Sequence, residues 1–366
     1  MMQISPTRHR GMMMNPAEIA SSPLLSVVMP VFNEAAYIRR TLEALRMALA
    51  EAQLGQNVEV IVIDDGSTDD SSAEAASVWG SGISILTQRN RGRFESRRRG
   101  AASANGEFVL ALDARSVLEP GSLAFWSRQR ILHPERLLWN GDTRIRSTEN
   151  AYARFWDLLT GIGWREYIGN PRLVSFGIAD FDRFPKGTGM FLAPRQVWED
   201  AYRAVNERDR GDLPQDLVSD DTALLRQMVE GGSLIWIDPE FSGEYVYPRR
   251  TLAAFVRNAF YRGGTFVDSY YEAPSVMGRL VRAGPTVFSA GIVAFGIAVL
   301  KNPKRTGIAA ITLASAPGIA VAAVAGRSGE SAMRSIQIGA LSVPFLASFV
   351  PGLVRGYVAR LRSRLG

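Results

Sequence analysis

The chain has 366 residues, 46% of them hydrophobic and 21% charged, which is too apolar for a disordered protein and too long for one minimal domain. It has no cysteine and two histidines, His9 and His133, which excludes disulfide frameworks, thiolate nucleophiles, iron–sulfur clusters and multi-histidine metal centres. The net charge of +6 is uneven: residues 283–366 hold nine Lys or Arg and one acid, leaving 33 of the 42 basic and 35 of the 36 acidic residues upstream, so the basicity belongs to a tail and not to a nucleic-acid-binding domain.

Residues 1–22 lack a continuous apolar core and read as a flexible leader, not a secretory signal. From Leu24 to Met29 runs a short apolar stretch closed by Pro30, as in a buried strand, and Ile38, Leu42, Leu45 and Leu49 then recur at helical spacing. Further buried strands are expected over Val58–Ile63, Ile83–Thr87 and Phe108–Leu112, with helical patterns between them. This alternation predicts an α/β fold with a mostly parallel sheet between helices and with ligands at the carboxyl ends of the strands, over residues 23–248. Residues 249–282 form a linker; in it Leu252, Phe255, Val256, Ala259 and Phe260 share one helical face, opposed by Arg249, Arg250, Arg257 and Arg262, a pattern that suits a helix lying on lipid as well as one packed on a core.

The region 283–366 holds three uncharged stretches, of 18, 21 and 20 residues, divided by basic loops. As helices they would be roughly 27 to 32 Å long, close to a bilayer core, so the segments 284–300, 307–326 and 336–354 are expected to be membrane segments. Lys301, Lys304 and Arg305 on one loop, and Arg355, Arg360, Arg362 and Arg364 after the last stretch, favour the cytoplasmic side. Two full crossings satisfy both groups, with the first stretch re-entrant; three crossings would put the terminus outside.

Polar motifs follow the expected strands. Pro30-Val31-Phe32-Asn33-Glu34 follows the first, Asp64-Asp65-Gly66-Ser67-Thr68-Asp69 the second and Asp113-Ala114-Arg115 the fourth. Each alone is also a plain turn or helix cap, but three acidic strand ends meeting on one edge suit a polar ligand with ribose and phosphate groups. Residues 89–99 carry six arginines, most of which read as a solvated face. Gly187-Thr188-Gly189 precedes an apolar run, where small residues permit close approach to the backbone or a tight turn, and Ser219-Asp220-Asp221-Thr222 reads as the cap of a helix.

This ordered set resembles the family 2 glycosyltransferases of GT-A fold, which pass a sugar from a nucleotide donor to an acceptor with inversion, over about Leu24 to Gly264. The resemblance implies a nucleotide-sugar site of Pro30, Phe32, Glu34, Asp64, Asp65, Arg97, Asp113, Ala114 and Arg115, with Arg97 singled out from its cluster by its spacing from Gly92 and Gly100. It also implies an acceptor side at Gly187, Thr188 and Gly189, and a general base at Asp221 with Asp220 beside it. Family members hold Mg2+ or Mn2+ through Asp-x-Asp; here the second aspartate is Arg115, which leaves Asp113 as the metal ligand of a weak site or makes Arg115 part of the positive charge on the diphosphate. The stretch 257–263 resembles the Gln-x-x-Arg-Trp region of processive members but lacks Gln and Trp, so a non-processive enzyme is expected. Together these features predict a membrane-anchored glycosyltransferase, its catalytic domain on the cytoplasmic side, acting on a lipid-linked or cell-envelope glycan acceptor. A sugar nucleotidyltransferase would require a glycine-rich phosphate loop after the first strand, and "PVFNEAAY" has no glycine; the altered Asp-x-Asp leaves a catalytically silent sugar-nucleotide sensor or membrane scaffold as the alternative.

Overall fold

A computed structural model describes residues 22–146, 150–207, 213, 214, 217–219, 221–271, 273 and 275–365. The leader expected over 1–22 lies, up to residue 21, outside the described residues. The first half alternates β1 (Leu25–Val31), α1 (Ala35–Glu51), β2 (Val58–Asp64), α2 (Ser71–Trp79), β3 (Ile83–Thr87), α3 (Gly92–Ser103) and β4 (Phe108–Leu112). Pro30 does not close β1; it pairs with Ile63, at a point where β4 has already left the other side of the strand at Val28.

Then come β5 (Ser116–Leu118), α4 (Ser122–Leu132), β6 (Leu138–Arg144), α5 (Ala151–Gly163), α6 (Arg165–Ile168), β7 (Val174–Phe176), β8 (Met190–Pro194), α7 (Arg195–Glu207), α8 (Thr222–Glu230) and β9 (Ile235–Tyr245). The sheet order is β3-β2-β1-β4-β8-β6-β9-β5, with β7 paired to β9. Its first four strands are parallel, but β8 runs antiparallel to both β4 and β6, while β5 and β7 run antiparallel to β9. The sheet is therefore mixed, not mostly parallel as the alternation predicts. Parallel neighbours need a crossover of a dozen residues or more, and after β4 the chain enters β5 with no crossover helix.

Both faces of the sheet are covered, and the strands alternate accordingly. Val27, Met29, Val60, Val62, Phe108, Leu110 and Leu112 pack with α1 and α4. Val28, Ile61, Ile63, Val109 and Ala111 pack with α3, α7 and α8. Near-continuous apolar strands follow from this double burial, each fully buried aliphatic side chain contributing about 1.5–3 kcal/mol.

The chain ends in α9 (Leu252–Tyr270), α10 (Val276–Lys301), α11 (Pro303–Arg327), α12 (Ala332–Ala340) and α13 (Ser342–Leu365). Thr251, Ser275, Asn302 and Ser331 cap α9 to α12 by accepting a backbone N–H from the first turn. Among the described residues, the run Ala332–Ser363 is the one helical stretch long and apolar enough to cross a membrane, and a turn at Leu341 divides it. The apolar face of α9 is covered at its centre, where Phe255 and Ala259 are fully buried and Phe255 stands 5.4 Å from the ring of Phe155 on α5, while Leu252 at its start is exposed. Helices α9 and α13 run side by side with their backbones in close approach, because a Cβ on Gly263, Gly352 or Gly356 would strike the facing main chain. The sheet with its covering helices and the C-terminal helices thus share one aromatic cluster, built on Phe155, Phe255 and Phe345.

Candidate active site

The turns after β1 and β2 are tied together through short polar side chains. Asn33 adopts a left-handed φ of 55° and its Oδ1 accepts from the Thr68 N–H at 2.8 Å, while the Glu34 N–H donates to Ser71 Oγ at 2.7 Å. Asp64 accepts from the Ser67 N–H at 2.8 Å and from the Ser72 hydroxyl. Burial opposes its charge, but the hydrogen bonds from Ser72, Ser67 and Gly66 prevail and hold the carboxyl below the usual range. Gly66 has a φ of 80°, and a Cβ there would stand 3.2 Å from both Asn90 N and Gln88 O, so the turn requires glycine.

Asp65 is 3% exposed and fully engaged by protein: Oδ1 accepts from Gln88 Nε2 at 2.7 Å and the Arg91 N–H at 2.8 Å, and Oδ2 from the Gly92 N–H at 2.8 Å. It anchors the start of α3, where backbone N–H groups lack helical partners and the dipole favours an anion. That helix carries Arg97, which is 3% exposed and donates to Asp113 Oδ1 at 2.6 Å. Of the six arginines in this stretch, Arg89, Arg91 and Arg93 are exposed, Arg98 pairs with Glu95 and Arg99 donates to the Thr87 carbonyl.

Asp113 sits just beyond β4, its N–H on the Gly189 carbonyl at 2.8 Å. Ala114 is buried and its carbonyl accepts from Thr41 Oγ1. Arg115 does not point along Asp113; it grips Glu34 through Nε and Nη2, at 2.7 and 2.5 Å, with its guanidinium over the Tyr37 ring. Burial opposes the Arg115 charge, yet Glu34 and Tyr245 around it keep it firmly protonated. Phe32, on the same edge, is 43% exposed.

Gly187 and Gly189 border this edge from β8. Neither has a positive φ, so the turn at residues 188 and 189 does not itself demand glycine; at Gly189, close approach to Asp113 does. A Cβ on Gly189 would stand 3.1 Å from Asp113 Oδ2, and one on Gly187 would stand 3.7 Å from Asp221 Oδ2. Even a fully extended pair of residues between the two glycines would leave the carboxylates of Asp113 and Asp221 within roughly 14 Å of each other, and the turn at residues 188 and 189 makes this an upper bound. Thr188 between them is fully buried, while both glycines are partly exposed at this edge. Asp221 itself caps α8, Oδ1 accepting from the Thr222 N–H at 3.0 Å, so the cap falls on the residue that the resemblance makes the base and not, as the sequence reading has it, on the other aspartate. Asp220 lies outside the described residues.

Residues with no sequence signal complete the site. Asn140 on β6 accepts from the Gly187 N–H at 3.0 Å and is 3% exposed, fixing the loop that carries the glycines. Lys186, next to Gly187, donates to the carbonyls of Phe181 and Phe184 and lies 3.8 Å from Asp182. Burial pulls its ammonium down to about 8, against the opposing pull of Asp182 and Asp221. Its place directly before Gly187-Thr188-Gly189 was the sole hint available; Asn140 had none.

Among the described residues, no three His, Asp or Glu side chains converge as a metal cage. The donor set nonetheless fits a hard cation of one kind: Asp113 has one oxygen on Arg97 and the other beside Gly189, and Mg2+ is commonly held by one carboxylate plus substrate phosphates.

Residues 26–124 match glycosyl transferase family 2. The undecaprenyl-phosphate 4-deoxy-4-formamido-L-arabinose transferase of Aeromonas hydrophila is 44% identical over 95 residues, 25% of this chain and 28% of that protein. The putative glycosyltransferase EpsH of Bacillus subtilis is 34% identical over 101 residues, 27% of this chain and 28% of that protein. The match thus spans under a third of the length of these curated relatives. In fold, the mannosyltransferase PcManGT from Pyrobaculum calidifontis, solved with GDP-Man and Mn2+, superposes with a TM-score of 0.59 at 16% identity, over 92% of this chain and 87% of that one. Residues 26–124 thus carry the likeness to glycosyl transferase family 2, and the scaffold around them shares the fold of a solved sugar-nucleotide transferase.

Proposed function

We propose that the protein is a membrane-associated, inverting, non-processive glycosyltransferase that moves a sugar from a nucleotide-sugar donor to a hydroxyl of a lipid-linked acceptor on the cytoplasmic face. The observation that carries this reading is the meeting of Asp113, paired with Arg97, and Asp221 on either side of Gly187–Gly189 at the carboxyl edge of the sheet. A GT-A site for donor and acceptor needs such an edge, and the undecaprenyl-phosphate transferase relative and the long apolar run Ala332–Ser363 support a lipid-linked acceptor.

In this reading Phe32 and Glu34 border the base and ribose, Asp64 and Asp65 shape the turn and helix start beneath them, and Asp113 faces the diphosphate with Arg97 fixing its carboxylate. A divalent cation bound at Asp113 would supply positive charge for the departing diphosphate. Asp221 takes the proton of the acceptor hydroxyl as its oxygen bonds to the anomeric carbon and the nucleoside diphosphate leaves from the opposite face. The two glycines admit the sugar to the backbone between the carboxylates. Incubating membranes that contain the protein with a panel of labelled nucleotide sugars should move one label into the lipid extract; no transfer from any donor would overturn the reading.

A further inference from the structure

The segment that carries Asp221 is gripped on both sides by consecutive residues of α9. Before it, the Ser219 N–H donates to Asp268 Oδ2 at 2.7 Å. After it, Arg226 on α8 donates through Nη1 to the Ser269 carbonyl at 3.0 Å. Leu217 is 1% exposed and seats on Gly264, where a Cβ would collide with its side chain. Ser219 is itself 4% exposed, so its N–H has no access to water if Asp268 is lost.

Asp268 is in turn held from the end of the chain. Arg360 on α13 approaches Asp268 Oδ1 at 3.7 Å, and both side chains are nearly buried, at 13% and 10% exposure. The approach requires α9 and α13 to lie close, which Gly356 permits: a Cβ there would stand 2.7 Å from the Gly264 carbonyl and 3.0 Å from Val267. Helix α13 belongs to the apolar run Ala332–Ser363. A continuous line of contacts therefore joins that run, by way of Arg360 and Asp268, to the peptide two residues before Asp221.

We infer that Asp268 is a positioning residue for Asp221, and that docking of α13 on α9 sets the candidate base in place, so that seating the C-terminal helix and transfer activity are coupled. This rests on the reading of Asp221 given above. The coupling is through backbone position: Asp268 touches neither donor nor acceptor, and its loss frees the turn at Ser219 while leaving Asp113, Arg97 and the donor edge as they are.

The test uses the full chain in membranes or detergent, comparing Asp268→Ala, Asp268→Asn, Arg360→Gln and Asp221→Asn with the wild type. Three quantities are read: kcat, donor affinity by titration with the active nucleotide sugar, and hydrogen exchange at the Ser219 amide. Asp268→Ala should lower kcat about 10- to 100-fold with donor affinity within about twofold, and Ser219 should lose protection. Asp268→Asn keeps an acceptor for that N–H and should recover most of the loss, and Arg360→Gln should fall between. Wild-type kcat and unchanged Ser219 exchange in Asp268→Ala, with Asp221→Asn inactive, would overturn the positioning inference alone. A fully active Asp221→Asn would overturn the reading of the base and this inference with it. If Asp268→Ala does not fold, Arg360→Gln decides by the same readouts, wild-type kcat and protection counting against the inference.

Discussion

Gly189 and Gly187 offer a matched pair of substitutions whose outcomes the geometry separates. Neither has a positive φ, so alanine at Gly187 should leave thermal stability unchanged or raise it slightly, while at Gly189 the crowding of Asp113 works against that gain. Their neighbourhoods differ. The Cβ of Gly187→Ala would meet Asp221 Oδ2 at 3.7 Å, an ordinary contact. That of Gly189→Ala would meet Asp113 Oδ2 at 3.1 Å, with Asp113 Cγ and Ser116 Oγ both at 3.5 Å, so the carboxylate has to give by a few tenths of an ångström. Asp113 cannot do so freely, because Arg97 holds its other oxygen at 2.6 Å from inside the core. A misplacement of 1 Å costs about 100-fold in rate, so a shift of about 0.3 Å scales to roughly a fourfold loss of transfer, and Gly189→Val to a much larger one. The assay is steady-state transfer of labelled sugar with melting curves in parallel. Equal activity of the two alanine variants, or a larger loss at Gly187, would refute the assignment of Asp113 to the donor phosphates.

Asp221→Asn should lower transfer about 10²- to 10⁴-fold while donor affinity stays within about twofold; a loss of under tenfold would mean that the acceptor oxygen is already ionised, as in a phosphate, or that Asp221 is not the base. A strong chelator should abolish transfer, with millimolar Mg2+ or Mn2+ restoring it; activity indifferent to chelator would assign the positive charge to arginine. Because burial pulls Lys186 down to about 8 from its ordinary 10.5, the unfolded chain binds more protons between those values and this group's penalty on stability is relieved as pH rises through them. The full effect is of the order of 3 kcal/mol. Denaturant midpoints of wild type relative to Lys186→Met should therefore rise from pH 8 towards pH 10; a constant gap would count against it.

The strands β1, β2 and β4 were legible because each is buried on both faces and reads as an apolar run between turn residues, and the half-buried edge strand β3 keeps enough Ile and Leu to read the same way. The second half of the sheet was not. Strand β9 contains Pro239, which argues against a strand, and β6 carries Asn140, Gly141 and Asp142 with a register shift between the last two. At the site, motif order anticipated that Asp64 ends β2, Asp113 follows β4 and Asp221 opens α8, since an acid at a strand end or helix start is a local signal. What holds those acids was not legible: Arg97 reaches Asp113 across 16 residues, Asp65 caps a helix 27 residues on, and Asp268 holds Ser219 from 49 residues away. The amphipathic pattern in α9 identified a helix with an apolar face but not its cover, because burial of Phe255 against Phe155 and Phe345 is tertiary information.

Arg115 is the one strand-end position where the chain departs from the pattern that it otherwise resembles, and its pairing with Glu34 explains how the edge tolerates the change. An aspartate there would put three carboxylates, with Glu34 and Asp113, against the single cation Arg97, and like charges at such separations drive protons back onto one another. With arginine, Glu34 and Asp113 each have their own guanidinium and are paired without an ion. The bidentate Arg115–Glu34 pair also ties the turn after β1 to the end of β4. On the proposed reading, the cation is then needed only while a diphosphate is present to complete its shell around Asp113. Removing metal should silence the enzyme without loosening its fold.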